Sequence, residues 1–199
     1  MKRNFDIGVV VKTFIVCAVF ILLLAGRSVT AREIAGVNVL PTVSMDNEVL
    51  VLNGAGIRQK FFIKVYVGAL YLKAQRTAVN DVLNDPGAKR IVMSFLYKEV
   101  STKKLVEGWN KGFTDNNKPE DLKLLQDRID QFNALFNTVY KGDVIRLDYK
   151  PAEGTQVWIN ETLKGTVPGE DFFRAVLKIW LGPKPADENL KDAMLGNSY

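Results

Sequence analysis

The sequence predicts an α+β fold with a mainly antiparallel sheet, and two observations carry that prediction. Runs rich in β-branched and aromatic residues, typical of strands, occur early in the chain and again after residue 143. Between and after these runs, apolar residues recur at threes and fours, which is the spacing of amphipathic helices. The 199 residues are 47% hydrophobic and 25% charged, as in ordinary globular domains, which excludes the disordered and fibrous classes.

The first strands are predicted before residue 100. Val49–Leu52 is a short apolar run, and Asn53–Gly56 after it indicates a turn or a close approach of the backbone. Ile57–Leu72 is rich in β-branched and aromatic residues and predicts one long strand or a bent pair, with a bulge or bend at Gly68. Ile91–Leu96 predicts a further strand.

Two helices are predicted in the middle of the chain. Ser101 suits the N-cap of the first, and its apolar positions follow at helical spacing: Leu105, Val106, Trp109 and Phe113. Pro119 suits the first turn of a second, longer helix, which ends at Lys141–Asp143. Its apolar stripe consists of Leu122, Leu125, Ile129, Phe132, Leu135, Phe136 and Val139. We expect Leu125, Ile129, Phe132 and Phe136 to pack on the sheet.

The last part of the chain combines a hairpin with two helices. Val144–Lys150 and Thr155–Asn160 predict strands joined by Pro151–Gly154. A third helix is predicted from about Glu170 to Leu181, with its buried side formed by Phe172, Phe173, Val176, Leu177 and Trp180. A short helix over Asp187–Leu195 follows.

The N-terminal segment has the pattern of a secretory signal peptide. Residues 1–31 combine a basic start, an apolar run over Thr13–Ala25 and small residues before Arg32. The apolar run has thirteen residues, fewer than the roughly 20 that span a bilayer. We expect cleavage after Ala31, export to the periplasm, and a single mature domain over 32–199 with no membrane span. The alternative is an uncleaved anchor over Ile7–Ala25.

Composition narrows the chemistry available to the mature chain. There is no His, which excludes histidine bases and Ser-His-Asp or Cys-His catalysis, and the single Cys is Cys17. Residues 1–31 hold four basic residues and one acidic residue, so the remainder keeps 23 of the 27 basic and 21 of the 22 acidic residues. Its net charge is therefore only 23 − 21 = +2, which gives little support to nucleic-acid binding. No motif indicates a phosphate or dinucleotide cofactor, and we expect neither a metal site nor a cofactor.

The stretch from Leu52 to Leu72 holds the candidate site. If the strand is continuous, alternation puts one set of side chains on one face: Arg58, Lys60, Phe62, Lys64 and Tyr66. The other face looks like core and carries Ile57, Phe61, Ile63, Val65, Val67 and Ala69. The first face suits a pocket for an apolar ligand with a carboxylate or phenolate head, since Arg58 supplies a fork of donors and Tyr66 a hydroxyl. The alternatives are a solvent-facing strand and an internal salt bridge of Arg58.

Three segments in order resemble the chalcone isomerase-like family. Residues 53–72, NGAGIRQKFFIKVYVGALYL, are similar to its signature strand pair. Residues 141–155, KGDVIRLDYKPAEGT, and 168–185, PGEDFFRAVLKIWLGPKP, resemble its exported bacterial branch. The resemblance covers roughly Glu33 to Leu195. It implies an open-faced α+β sandwich, in which helices cover a large antiparallel sheet and a ligand cleft lies between the two layers.

The resemblance also implies site residues. Plant members cyclise chalcones, plastid members bind fatty acids, and other members are non-catalytic binding or helper proteins. The family's cleft arginine falls on Arg58, its lysine on Lys64, and the threonine of the plant enzymes on Tyr66. The tyrosine and asparagine that position the chalcone ring fall on Ser101 and Gly108, so we expect little or no chalcone cyclisation.

The function expected from this reasoning is non-catalytic binding of a small apolar carboxylate, such as a fatty acid, in a cleft anchored by Arg58. Two alternatives stay open: an intramolecular lyase or isomerase of the chalcone isomerase type with another substrate, and a structural or helper protein with no buried ligand. A second titratable group within hydrogen-bond reach of Arg58 would favour the enzyme. No protein partner follows from the sequence.

Overall fold

The structure, a computed structural model, describes residues 31–197 of the chain. The predicted signal peptide lies outside the described residues except for Ala31, so its cleavage stays a prediction. In the part of the chain that the structure describes, no helix is long and apolar enough to cross a membrane.

The described residues form eleven strands: β1 (Arg32–Ile34), β2 (Val37–Val39), β3 (Thr42–Met45), β4 (Glu48–Lys60), β5 (Ile63–Leu72), β6 (Lys89–Phe95), β7 (Glu99–Val100), β8 (Val139–Tyr140), β9 (Val144–Lys150), β10 (Gly154–Ile159) and β11 (Thr162–Val167). Seven of them form one antiparallel sheet in the order β11-β10-β9-β6-β5-β4-β3. Two small antiparallel pairs, β1-β2 and β7-β8, stand apart from it.

Five helices accompany the strands within residues 31–197: α1 (Val79–Leu83), α2 (Thr102–Asn116), α3 (Pro119–Asn133), α4 (Glu170–Leu181) and α5 (Glu188–Met194). Ser101 caps α2 as predicted, since its side chain accepts a hydrogen bond from the backbone N–H of Lys104. The mixed architecture with a large antiparallel sheet confirms the predicted α+β class.

Apolar side chains form two clusters, because alternate residues of the interior strand β5 are buried on opposite sides. Tyr66, Leu70 and Leu72 belong to the larger cluster, which also holds the buried faces of the helices. Val67, Ala69 and Tyr71 belong to the smaller cluster, together with residues of β2, β3 and β4. Burial on both sides explains why β5 has an almost unbroken apolar sequence.

The stretch predicted as one long strand or a bent pair is a hairpin. β4 ends at Lys60, Phe61 and Phe62 form a two-residue turn with φ of 48° and 65°, and β5 begins at Ile63. Two predicted core residues, Phe61 and Ile63, are therefore exposed at its tip.

Asn53–Gly56 is strand rather than turn, because β4 continues through it. The alternative prediction, a close backbone approach, is correct. A Cβ added at Gly54 would overlap the backbone of Ala193 in α5, and one added at Gly56 would overlap the Ala193 side chain. The register shifts in this hairpin lie at Leu52/Gly54 and Arg58/Gln59, whereas the predicted bulge site Gly68 pairs regularly.

The second predicted helix is shorter than expected. α3 ends at Asn133, and both α2 and α3 have 15 residues. Phe132 packs edge-on against the rings of three aromatic residues of the helices, Trp109, Phe113 and Phe172. Leu125, Ile129, Phe132 and Phe136 are all buried, in the same core cluster as residues of the sheet such as Ile145 and Val157.

Candidate functional site

A cleft of about 690 Å³ lies where the β4-β5 hairpin and β6 face α2 and the segment after α4. Apolar side chains form much of its lining: Phe61, Ile63, Val65, Met93, Phe95, Val100, Leu105, Trp109, Ile179, Pro185 and Ala186. Its charged lining residues are five cations and three carboxylates: Arg58, Lys60, Lys104, Lys111, Lys184, Glu99, Glu107 and Asp115. Pockets of this volume with a mainly apolar wall and a few polar groups are typical of small-molecule sites.

Arg58 and Tyr66 both line the cleft and are direct cross-strand partners in β4 and β5. Opposed residues in an antiparallel pair project from the same face. The Arg58 guanidinium carbon lies 5.6 Å from the centroid of the Tyr66 ring, within the range of a cation–π contact. The sequence reasoning put them on one face of one strand, whereas the hairpin makes them neighbours.

Tyr66 is 4% exposed, and its hydroxyl forms a hydrogen bond with a residue of the helix layer. The indole Nε1 of Trp180 in α4 donates a hydrogen bond of 2.8 Å to Tyr66 Oη. Burial raises the pKa of the Tyr66 hydroxyl, and the nearby Arg58 charge and the Trp180 hydrogen bond offset only part of that rise. Tyr66 is therefore a neutral phenol at physiological pH, able to donate its own proton in a hydrogen bond.

Two residues that line the cleft, Arg58 and Trp109, each carry a buried N–H donor, Nε and Nε1, with no hydrogen-bond acceptor among the described residues. Within residues 31–197, none of the ion pairs involves Arg58, so no carboxylate oxygen lies within 4.0 Å of its guanidinium nitrogens. The internal salt bridge considered as an alternative is thus absent from the described residues. A buried donor left without an acceptor is costly, so these groups suit an acceptor from outside the chain.

The other predicted residues of this stretch lie elsewhere. Lys64 pairs with Gln59 next to the turn, is exposed, and is not among the residues that line the cleft. Phe62 is 99% exposed at the tip of the hairpin. The turn at Phe61–Phe62 accounts for both positions, because it ends the alternation assumed for a continuous strand.

Ser101 caps α2 and Gly108 lies on it, at the positions where the resemblance placed the groups that hold a chalcone ring. The Ser101 hydroxyl is engaged in the helix cap. Gly108 lines the cleft, and a Cβ built there would meet nothing within 4 Å, so it leaves open space. The expectation of little chalcone cyclisation stays a prediction.

Sequence reasoning missed two residues of the site, Trp109 and Trp180. Both were assigned to buried helix faces, which is correct. Helical spacing carries no information about the indole N–H, because its partner depends on which strand the helix meets. Within the described residues, no group of three His, Cys, Asp or Glu side chains is placed to hold a metal ion.

Comparisons with known proteins agree with this architecture. The family model described as chalcone isomerase-like matches residues 31–196. No curated protein matches the chain. Among solved structures, the chain is similar to the fatty-acid binding protein AtFAP1 of Arabidopsis thaliana, with a TM-score of 0.66 and 16% sequence identity.

That structural match covers 84% of this chain and 96% of the Arabidopsis chain, so the likeness extends over the whole fold. At this identity it bears on the fold alone. The family match spans nearly all of the described residues and confirms the resemblance seen in three segments of the sequence. The chain therefore belongs to the chalcone isomerase-like family.

Proposed function

We propose that this protein binds an apolar carboxylate of the fatty-acid type in the cleft, without catalysis, and that Arg58 anchors the carboxylate. The observation that carries the proposal is the pair of buried, unpartnered donors, Arg58 Nε and Trp109 Nε1, on two residues that line one cleft. A carboxylate has two oxygens and accepts several hydrogen bonds, so it is a ligand group that suits a site with unpartnered N–H donors.

The electrostatics of the cleft support an anionic head group. Arg58 has no carboxylate partner within the described residues, and a charge-assisted hydrogen bond to a guanidinium is among the stronger polar contacts in proteins. Tyr66 stays protonated because burial raises its pKa, and its oxygen already accepts from Trp180. Its hydroxyl proton is therefore available to the same carboxylate.

The remaining wall supports an apolar tail. Side chains from three different elements face the cleft with carbon atoms, among them Met93 of β6, Leu105 of α2 and Ile179 of α4. Burying a chain of methylene groups against such a wall contributes about 0.8 kcal/mol for each group. The similarity of the fold to a fatty-acid binding protein supports the same ligand class.

Catalysis of the chalcone isomerase type finds less support. A second titratable group within hydrogen-bond reach of Arg58 would favour an enzyme of that kind. Among the described residues, the cleft carboxylates Glu99, Glu107 and Asp115 lie beyond 4.0 Å from the Arg58 nitrogens. Arg58 therefore has the surroundings of an anchor for a ligand.

Export to the periplasm is part of the proposal and is supported by the N-terminal sequence pattern. The intact mass of the protein isolated from an exporting host tests it. A mass beginning at Arg32 is expected, and a mass that retains residues 1–31 would contradict cleavage.

Two measurements test the binding proposal. Organic extraction of the purified protein, followed by mass spectrometry, should release an apolar carboxylic acid. Titration with a fluorescent long-chain fatty acid should then show Arg58→Ala weaker than wild type by on the order of 10- to 150-fold, the loss of one charge-assisted contact of about 1.5–3 kcal/mol.

Matched variants make the titration specific. Arg58→Lys should restore only part of the affinity, because an ammonium lacks the planar fork of donors. Lys64→Ala removes a cation from the same hairpin but outside the cleft, and should leave the affinity unchanged. Equal affinities for wild type and both Arg58 variants would remove Arg58 from the site, and a wild type that binds no fatty acid would overturn the proposal.

A further inference from the structure

The tip of the β4-β5 hairpin, residues 60–64, is an exposed apolar point between two lysines. Phe61 is 83% exposed, Phe62 is 99% exposed, and Ile63 is 46% exposed. Lys60 and Lys64 flank them and are also exposed. Single exposed apolar residues are common on protein surfaces, but three in succession at an exposed turn need an explanation.

Turn chemistry does not explain the two phenylalanines. A two-residue hairpin turn with positive φ at both positions strongly favours Asn-Gly, and the left-handed conformation is unfavourable for bulky residues. Phe61 and Phe62 nevertheless occupy it, with φ of 48° and 65°. Their rings are largely outside the core, so neither local geometry nor packing accounts for them. This indicates that the two phenylalanines contact a partner outside the chain.

The charges at the tip indicate the chemistry of that partner. The Lys60 ammonium lies 6.0 Å from the centroid of the Phe61 ring. Within the described residues, no carboxylate pairs with Lys60 or Lys64. Aromatic rings between free cations suit the surface of an anionic bilayer, where rings enter the boundary between head groups and acyl chains and ammonium groups meet phosphates.

We propose that this tip docks the protein reversibly on an anionic phospholipid surface. The area favours a membrane over a protein partner. Two aromatic side chains bury roughly 150–250 Å² each, whereas a stable protein interface buries about 800 Å² on each side. A fluid bilayer needs no complementary surface, so two apolar side chains can insert into it without a larger interface around them.

Docking at this point would set the cleft against the membrane, because Lys60, Phe61 and Ile63 belong both to the tip and to the cleft lining. This consequence, unlike the docking itself, rests on the proposed function: a bound apolar carboxylate would exchange with the bilayer through the end of the cleft next to the tip.

Vesicle sedimentation without added fatty acid tests the docking separately from ligand binding. The exported protein is mixed with vesicles of equal parts phosphatidylcholine and phosphatidylglycerol, or of phosphatidylcholine alone. The main variant is Phe61→Asn with Phe62→Gly, which removes both rings and installs the residues that the turn prefers. It should raise the denaturant midpoint, so that a loss of vesicle binding cannot come from unfolding.

We expect wild type to bind the anionic vesicles and the Asn-Gly variant to bind them about tenfold or more weakly, in line with the transfer free energy of aromatic side chains. Lys60→Glu with Lys64→Glu should also weaken binding, by about fivefold or more for each lysine. In Phe62→Trp, brominated lipid should quench more fluorescence than in wild type. Equal sedimentation of wild type and the Asn-Gly variant, or no added quenching at position 62, would overturn the docking and leave the fatty-acid titration unaffected.

Discussion

Trp180 donates its indole N–H to the hydroxyl oxygen of Tyr66 across 2.8 Å, and this bond joins helix α4 to the interior strand β5 beside the cleft. It fixes the Tyr66 ring next to Arg58, whose guanidinium carbon lies 5.6 Å from the ring centroid. It also uses an acceptor site of Tyr66 and leaves the hydroxyl proton for a ligand. One contact thus serves the core and the proposed anion site together.

Replacing Tyr66 by Phe should lower the free energy of unfolding by about 1–3 kcal/mol, because the buried indole N–H of Trp180 loses its acceptor. Urea denaturation measures this loss. Tyr140→Phe is the control, since Tyr140 is 52% exposed and should show no comparable effect. Equal midpoints for Tyr66→Phe and wild type would mean that the bond contributes nothing to stability.

Phe132→Ala should lower the free energy of unfolding by about 3–5 kcal/mol, as for other buried phenylalanines. Phe132 is 0% exposed and contacts four aromatic rings, those of Trp109, Phe113, Phe136 and Phe172. Leu124→Ala on the same helix is the control, because Leu124 is 80% exposed and its loss should leave the denaturant midpoint nearly unchanged. If the two variants lost the same stability, the orientation of α3 would be wrong.

Two glycines four residues apart on α2 should respond to alanine in opposite directions. Gly108→Ala should raise the free energy of unfolding by roughly 0.5–1 kcal/mol, because the added methyl meets open space and alanine is the better helix former. Gly112→Ala should destabilise by about 1–3 kcal/mol, because its Cβ would lie 2.7 Å from Ile179 Cγ2 in α4. Thermal unfolding of both variants measures the difference, and a shift of the same sign in both would contradict the packing of α2 on α4.

Lys89 should make stability depend on pH in the alkaline range. Its side chain is 2% exposed, and its ammonium donates to the carbonyl oxygens of Asp85 and Gly87. Burial lowers the pKa of Lys89 from 10.5 to about 8, against the opposing effect of the Asp85 carboxylate. Between these two pH values the unfolded chain binds the proton that the folded protein has released, so the free energy of unfolding rises with pH.

Urea midpoints between pH 8 and 10 measure this rise, and Lys89→Met should remove it. Above pH 10 the effect should be masked, because burial raises the pKa of Tyr66, Tyr71 and Tyr149 and the unfolded chain then loses their protons first. A wild-type midpoint that falls steadily from pH 8 to 10 would contradict the assignment.

The helices α2, α4 and α5 could be predicted closely from the sequence, because caps and apolar spacing are local signals. The end of α3 could not. Leu135, Phe136 and Val139 continue its spacing by threes and fours, yet they lie beyond Asn133 and pack on the same core. Apolar periodicity reports which side chains are buried, and it does not report where the backbone leaves the helix.

Strands with weak local signals were missed. β11, Thr162–Val167, is mostly exposed or half-buried and contains Lys164 and Gly165, so its sequence has no clear alternation. The β4-β5 turn could not be predicted for a different reason, since Phe61–Phe62 lacks the glycine or asparagine that usually marks such a turn. Arg58 and Tyr66 still lie on one face, because the register shift at Arg58/Gln59 leaves Val65 without a partner on β4 and sets Arg58 opposite Tyr66.

The measurement that tests the central claim most directly compares a long-chain fatty acid with the alcohol of the same chain length, in wild type and in Arg58→Ala. The tail contacts are then common to both ligands, and only the carboxylate differs. Wild type should prefer the acid by on the order of 10- to 150-fold, and Arg58→Ala should bind acid and alcohol with nearly equal affinity. A preference for the acid that survives in Arg58→Ala, or no preference in wild type, would contradict the assignment of Arg58 as the carboxylate anchor.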